Sequence, residues 1–268
     1  MNAPLPKAVW PQIATPAPAK PLYIVASERV QIDVKADALV VKQGAKGPRY
    51  FPFARVSRVV CNRNCDWTGA ALVSCLDRRI TISFLTRATE LVGYCLPHVS
   101  QTEPFHTCME KFASSPRAAA CWNNWFRHRR MWVLSRWAKG REAVGTSVPD
   151  DAFCEMKRRF VYLSEQDLHL DLALRGPFQA LVVERLNREG ARCSYPPGDN
   201  TTLPLLESLV LLLWGEVNME AGALVVAVTD RRLQWLFLES WMKGHGSTLD
   251  EHLIALKHFI VRERDLCH

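Results

Sequence analysis

Residues 21–97 of the chain consist of short β-type runs separated by turns, and this pattern constrains the fold most. The runs are rich in Val, Ile, Tyr and Phe, and in chain order they are LYIVAS, RVQIDV, ALVVKQ, RYFPFARVSRVVC and ITISFL. Residues 43–49, QGAKGPR, predict a turn between two of the runs because their glycines permit positive φ. The interrupting segment DWTGAALVSCLDRR predicts a short helix that Thr68 caps.

After residue 100 the hydrophobic period changes to that of helices. Residues 103–140 are helical in pattern, and so are the later segments 172–186, 203–217, 233–241 and 249–264. We therefore predict an α+β fold, with a small N-terminal β-rich domain followed by a larger all-helical C-terminal domain. The predicted boundaries are a Pro/Ala-rich flexible tail over 1–20, the β-rich domain over 21–100 and the helical domain over 101–268.

Membrane and secretory classes are disfavoured. The longest apolar segment, LPLLESLVLLLWGEV, carries Glu207 and Glu216 and falls short of the roughly 20 apolar residues that span a bilayer. Nine cysteines, an odd number, combined with an N-terminus that lacks a signal-type apolar core, favour reduced thiols and a cytoplasmic location. Cys61 and Cys65 are spaced like metal ligands, but no second pair follows at zinc-ribbon distance, so we predict no metal there.

The charge of the chain is distributed unevenly. The net charge is +7, with +11 on residues 1–165 and −4 on residues 166–268. A basic front and a mildly acidic back suit a polyanionic partner, although ordinary solvated charge is the plainer explanation.

An aromatic stripe runs along the predicted helical segment of residues 103–140. On a helical wheel one side carries six apolar residues, which are Trp122, Trp125, Phe126, Trp132, Val133 and Trp137. Such a stripe predicts a core face. Arg129 and Arg136 lie on the same side, where they must meet acidic residues or face phosphate, whereas Arg127 and Arg130 point elsewhere.

A permanent positive charge stands at the entrance of the amphipathic segment DLALRGPFQALVVERL, residues 171–186. Arg175 precedes Gly176 and Pro177 and is surrounded by apolar residues. Three explanations are open: Arg175 pairs with a neighbouring acid such as Asp171, it meets a DNA phosphate, or it forms an ordinary surface salt bridge.

The order of these segments resembles that of the CRISPR-associated spacer integrase family. The resemblance covers about 80 residues and rests on an ordered frame that contains Thr68, Leu72, Ile80, Ile82, Phe84, Leu85, Gly93, Leu96 and Pro97. More faintly, LALRGPFQALVVERL, YPPGDNTTLPLLESLVLLLWGEV and DRRLQWLFLESWM resemble three segments of the family's helical domain. The resemblance implies a β-rich dimerisation domain and a helical nuclease domain.

The resemblance also implies a nuclease centre of one Glu, one His and one Asp around Mg²⁺ or Mn²⁺. The glutamate position falls on Arg175, and no histidine lies between His169 and His245. The later acidic position falls near Phe237, with Glu239 close by. A guanidinium repels a cation, so we expect no catalytic residues, no metal site and no cofactor.

Three functions remain open. The first is a homodimeric DNA-binding protein without a metal centre, which contacts DNA or an active homologue through a basic surface made of Arg127, Arg129, Arg130, Arg136, Lys157, Arg158, Arg159 and Arg175. The second is an active Mg²⁺- or Mn²⁺-dependent DNA endonuclease or integrase with rearranged ligands drawn from Glu184, Glu207, Asp230 and Glu239. The third is an adaptor that binds proteins, for example Cas2, the small partner that the resemblance implies.

Overall fold

The structure, a computed structural model, describes residues 19–86, 90–98, 104–162, 172–191, 203–221 and 231–266. Among these described residues, those up to Cys95 form eight strands, namely β1 (Lys20–Ile24), β2 (Val30–Lys35), β3 (Ala38–Gln43), β4 (Lys46–Pro52), β5 (Val56–Asn62), β6 (Cys65–Trp67), β7 (Thr81–Leu85) and β8 (Leu91–Cys95). The rest is helical, so the α+β prediction is confirmed. The predicted tail lies almost wholly outside the described residues.

The strands form two four-stranded sheets. Sheet A has the order β1-β5-β7-β8, in which only the β7–β8 pair is antiparallel. Sheet B has the order β4-β3-β2-β6, in which only the β2–β6 pair is parallel. Most of the β5 side chains are buried, as expected of a strand with parallel neighbours on both sides. Between the sheets lies a core that includes Ile32, Leu39 and Val59.

Local sequence explains the connections. The predicted turn between β3 and β4 is confirmed, but it is only two residues long, with Gly44 at φ 50°. The run RYFPFARVSRVVC forms two strands in different sheets, because a 3₁₀ turn over Phe53–Arg55 follows Pro52 and breaks it. Thr68 caps the short helix as predicted, since its hydroxyl accepts from the Ala71 N–H at 3.2 Å.

The helices of the described residues are α1 (Gly69–Asp77), α2 (Pro104–Ala113), α3 (Ala118–Ala143), α4 (Asp150–Met156), α5 (Leu172–Arg188), α6 (Leu205–Ala221), α7 (Arg231–Gly244) and α8 (Gly246–Leu266). A π-helical turn over Lys157–Tyr162 extends α4. The core of the helical part surrounds α6, which is buried over most of its length and packs against α3 and α5. In the described part of the chain, we find no helix with the length and apolarity that a membrane span requires.

The aromatic stripe on α3 is only partly a core face. Trp122, Trp125, Phe126 and Val133 are buried as predicted. The prediction is wrong for Trp132, whose residue surface is 36% exposed. The reason is that the guanidinium groups of Arg129 and Arg136 stack on this indole at 4.1 and 4.5 Å from its centroid.

Candidate nucleic-acid interface

The guanidinium of Arg175 forms an ion pair with Glu207 of α6. Nη2 of Arg175 lies 3.0 Å from Oε2 of Glu207, and both side chains are about one-third exposed or less. Gln179, one turn further along α5, donates to the other oxygen of Glu207 at 2.9 Å and accepts from the backbone N–H of Leu91. Glu207 is thus held on both oxygens. The partner of Arg175 is this glutamate, and Asp171 lies outside the described residues.

A second arginine lies between two carboxylates from different helices. Arg58 projects from β5, and its Nη1 and Nη2 lie 3.1 Å from Glu184 of α5 and 3.2 Å from Glu239 of α7. The Tyr23 hydroxyl donates to the same Glu239 oxygen, and Arg188 donates to the second oxygen of Glu184 at 2.7 Å. This cluster, which we call the Arg58 centre, joins sheet A to two helices.

Burial and neighbouring charges together determine the protonation states of Tyr23 and Arg58 in the Arg58 centre. Burial and the adjacent carboxylate of Glu239 raise the pKa of Tyr23 far above its ordinary value, so the hydroxyl stays protonated and remains a donor. Burial opposes the charge of Arg58, but Tyr23, Glu184 and Glu239 together hold its pKa above the ordinary value. The guanidinium therefore provides a fixed positive charge between two acids.

Three of the four acidic residues that the sequence offered as rearranged metal ligands form ion pairs with arginines. Glu184 and Glu239 contact Arg58, and Glu207 contacts Arg175. Asp230 lies outside the described residues. Within the described ranges no group of three or more His, Cys, Asp or Glu side chains is arranged to hold a metal ion.

A basic and aromatic surface forms where α3 meets the π-helical turn. The Tyr162 residue surface is 60% exposed, and the Arg127 guanidinium and the Lys157 ammonium lie 5.9 and 5.8 Å from its ring centroid. We call Arg127, Lys157 and Tyr162 the basic–aromatic patch. Arg127 is exposed and Lys157 is half-buried. Cations beside an exposed ring can contact phosphates, and the ring can stack on a base. Arg130 lies nearby on the same helix, with its guanidinium over the Phe126 ring.

Two other predicted DNA contacts share one acid. Arg158 donates to Glu155 through two nitrogens at 2.9 Å, and Nε of Arg159 reaches the same carboxylate. These hydrogen bonds lower the pKa of Glu155 to about 2. Since one carboxylate neutralises part of this pair, the two arginines offer less net charge to a phosphate than their number indicates.

Arg129 and Arg136 take part in an internal network. Arg129 donates to Nδ1 of His252, and Nε2 of this ring lies 3.1 Å from Glu216. Arg136 lies 3.0 Å from the same Glu216 oxygen and 2.8 Å from Glu251. Of the two explanations that the sequence left open for these arginines, pairing with acidic residues accounts for Arg136. We call these five residues the His252 network.

Three residues of these clusters were missed by sequence reasoning. Arg58, Tyr162 and His252 were not singled out, although Arg58 stands inside the β-type run RVSRVVC, where a charged residue needs a buried partner. That position was the available signal. Nothing local in the sequence indicated the other two.

The two sheets and the helices that follow them form a fold that is also seen in solved structures of Cas1 proteins and of a casposase. The structure of TM1797, a CAS1 protein from Thermotoga maritima, superposes with a TM-score of 0.66 at 13% identity and covers 90% of this chain and 97% of that one. TtCas1 in its DNA complex gives 0.60 at 12% identity over 90% and 91%. A casposase bound to integration product gives 0.54 at 12% identity over 76% and 74%.

Sequence comparison points to the same family. The model of CRISPR associated protein Cas1 matches residues 23–131. No curated protein sequence matches the chain. The family match over residues 23–131 and the likeness of the fold both show that this chain is similar to Cas1 proteins.

Proposed function

We propose that this protein is an integrase-like Cas1 relative that serves CRISPR adaptation by binding DNA, and that it does so without a metal-dependent nuclease centre. The observation that carries the proposal is the ion pair of Arg175 with Glu207, at the helix where the resemblance puts a metal-binding glutamate. A guanidinium satisfies a carboxylate directly and leaves no negative charge to attract a divalent cation.

The Arg58 centre supports the same proposal. Glu184 and Glu239 approach one guanidinium from two helices, as two acidic ligands would approach a metal ion. The positive charge is supplied by the chain itself. In this proposal Glu184 and Glu239 stabilise the fold through Arg58 instead of holding Mg²⁺. Removal of divalent metal ions would therefore not disturb them.

DNA binding in this proposal relies on the basic–aromatic patch. Arg127 and Lys157 contact the exposed ring of Tyr162, whereas the guanidinium of Arg175 is engaged by Glu207. Phosphate contacts of this kind give affinity without sequence preference. Arg129 and Arg136 serve the fold, because their guanidinium groups are engaged in the His252 network.

The partners in this proposal follow from the family. One of the matched structures is a TtCas1–DNA complex, which supports DNA as a ligand. The resemblance also implies a homodimer formed by the β-rich part and association with Cas2 or with an active homologue. Both remain proposals that size-exclusion chromatography with light scattering can test.

The decisive experiment compares DNA binding and DNA cleavage with and without metal. Mobility shift on a labelled branched duplex is measured at low salt in EDTA, in Mg²⁺ and in Mn²⁺, with cleavage of the same substrate followed on denaturing gels. We expect retarded migration of equal affinity in all three conditions and intact strands throughout. Nicking in Mn²⁺ that is abolished by Glu239→Ala would instead establish an active endonuclease.

A charge-matched control identifies the binding surface. The double variant Arg127→Ala/Lys157→Ala removes two cations from the basic–aromatic patch. Lys20→Ala/Lys35→Ala removes two exposed cations from the β-rich part. We expect the first pair alone to weaken binding, by about tenfold or more at low salt. Equal weakening by both pairs would mean that only net charge matters, and an adaptor without DNA binding would show no shift at all.

A further inference from the structure

The motif CNRNC, residues 61–65, brings two thiols together at the junction of the two sheets. Cys61 is fully buried in β5 of sheet A, and Cys65 begins β6 of sheet B. Ile24 is paired with Cys61 in the β1–β5 ladder, and the Cys65 thiol contacts the carbonyl oxygen of the same Ile24, so the two cysteines adjoin one residue on either side of a two-residue turn. The proposed DNA-binding function makes no use of either thiol.

The surroundings give the two thiols different characters. Sγ of Cys65 lies 3.4 Å from the carbonyl oxygen of Ile24 and 3.9 Å from Oδ1 of Asn62, and Cys65 is only half-buried. The hydrogen bond from Cys61 lowers the pKa of Cys65. The same bond and burial raise the pKa of Cys61. A half-buried thiol with a lowered pKa beside a fully buried thiol is the arrangement of oxidation-sensitive cysteine pairs.

Two other cysteines of the described residues, Cys95 and Cys154, are less suited to react with this pair. Cys95 is in β8, and β7 separates that strand from β5. Strands two positions apart in a sheet lie about 9.6 Å from each other, whereas disulfide-linked Cα atoms lie within about 7 Å. Cys154 is exposed on α4, away from both sheets.

We infer that Cys61 and Cys65 form an oxidation site, at which a peroxide converts the two thiols into an intrachain disulfide that links sheet A to sheet B. The Cys65 thiolate attacks one oxygen of hydrogen peroxide, so that an S–O bond forms and the O–O bond breaks. Cys65 becomes a sulfenic acid, and the hydroxide that leaves is protonated to water. The Cys61 sulfur then attacks the sulfenic sulfur, a second water leaves, and the S–S bond forms. Two thiols are oxidised and one peroxide is reduced to two waters.

The test treats the folded full chain with a small excess of hydrogen peroxide, quenches free thiols with an alkylating agent and maps peptides by mass spectrometry. We expect one product that is lighter by two hydrogen atoms and carries a Cys61–Cys65 cross-link, which dithiothreitol reverses. The Cys154→Ser variant is the matched control and should give the same yield. Oxidation that occurs first at Cys154, or a cross-link between other cysteines, would overturn the inference.

Two single variants separate the roles of the thiols. In Cys61→Ala the cross-link is lost, and the sulfenic acid of Cys65 accumulates and is trapped by dimedone. In Cys65→Ser both products are lost. Far-UV circular dichroism verifies that each variant is folded, and Cys61→Ser replaces Cys61→Ala if the latter is not. Dimedone labelling of Cys61 in the Cys65→Ser variant at the rate of the wild type would contradict the assignment of the attacking thiol.

Discussion

The guanidinium of Arg58 lies 3.1 Å from the carboxylate of Glu184, and each side chain is only 8% exposed. Removing one member of such a pair leaves the other charged in a medium that solvates it poorly. We expect Arg58→Met to lower the free energy of unfolding by about 3 to 5 kcal/mol, measured by urea unfolding. Replacing both, in Arg58→Met/Glu184→Leu, should recover a large part of the loss. A double variant as unstable as Arg58→Met alone would disprove the pairing.

Gly215 of α6 has no space for a side chain. A Cβ at this position would lie 2.2 Å from the ring of Phe160, which belongs to the π-helical turn. Gly215→Ala should therefore destabilise the protein by about 1 to 3 kcal/mol through overpacking, which lowers Tm by several degrees in a calorimetric scan. Phe160→Leu should partly rescue the variant because it shortens the clashing side chain.

Gly140 on α3 is the matched control for that substitution. It is also helical, but a Cβ there meets no atom within 4 Å. Gly140→Ala should raise stability by about 0.5 to 1 kcal/mol, because alanine restricts the unfolded chain and favours the helix. Equal losses at the two glycines would show that the Phe160 contact is not the cause.

His252 makes stability depend on pH. It lies among Arg129, Arg136, Glu216 and Glu251, and burial lowers its pKa below 6.5 despite the hydrogen bond with Glu216. The unfolded state therefore takes up the proton first as pH falls. The stability that neutral His252 contributes should be fully present above pH 6.5. It should decline as the pH falls from 6.5 towards the lower pKa that His252 has in the folded state.

The measurement for His252 is urea unfolding across about pH 8 to 5, where histidine titrates. His252→Gln should be less stable than the wild type at neutral pH, and the difference should narrow in acid. Substitution of His258, which is exposed on the same helix, should leave the pH profile unchanged. A difference that stays constant with pH would mean that His252 does not titrate in this range.

The salt dependence of DNA binding should distinguish the Arg127/Lys157 pair from the Arg158/Arg159 pair. Each phosphate contact contributes about 0.9 to the slope of log affinity against log salt on duplex DNA. Arg127→Ala/Lys157→Ala should reduce the slope by nearly twice that amount. Arg158→Ala/Arg159→Ala should reduce it less, since Glu155 engages both arginines. Mobility shifts over a series of salt concentrations provide the slopes, and the reverse order would place the DNA nearer to α4.

The sequence predicted the elements whose hydrophobic period is regular. The β-type runs, the Thr68 cap and the apolar helix around Leu209 all have local patterns, and the structure confirms them. The three-residue strand at Cys65–Trp67 was not foreseen, because so short a strand has no period to detect. Trp132 was misplaced because helical geometry gives the side on which an indole lies but not the arginines that hold it near solvent.

The site was predicted less completely than the fold. The pairing of Arg175 with an acid was one of three open possibilities, and the sequence did not identify Glu207 as its partner. Arg58 and its carboxylates are 126 and 181 positions apart, and pairing over such distances follows from tertiary packing rather than from local pattern. A lone arginine in an apolar strand indicates that a partner exists without indicating where.

The long separation within the Arg58 centre has a consequence for biosynthesis. Ribosomes add about 5 to 20 residues per second, so Arg58 emerges at least several seconds before α7 delivers Glu239. During that interval the side of β5 that carries Arg58 has no helix packed on it, so the guanidinium is solvated by water. We therefore expect the Arg58 centre, and with it the contact of sheet A with the helices, to form only after the C-terminal helices have been synthesised.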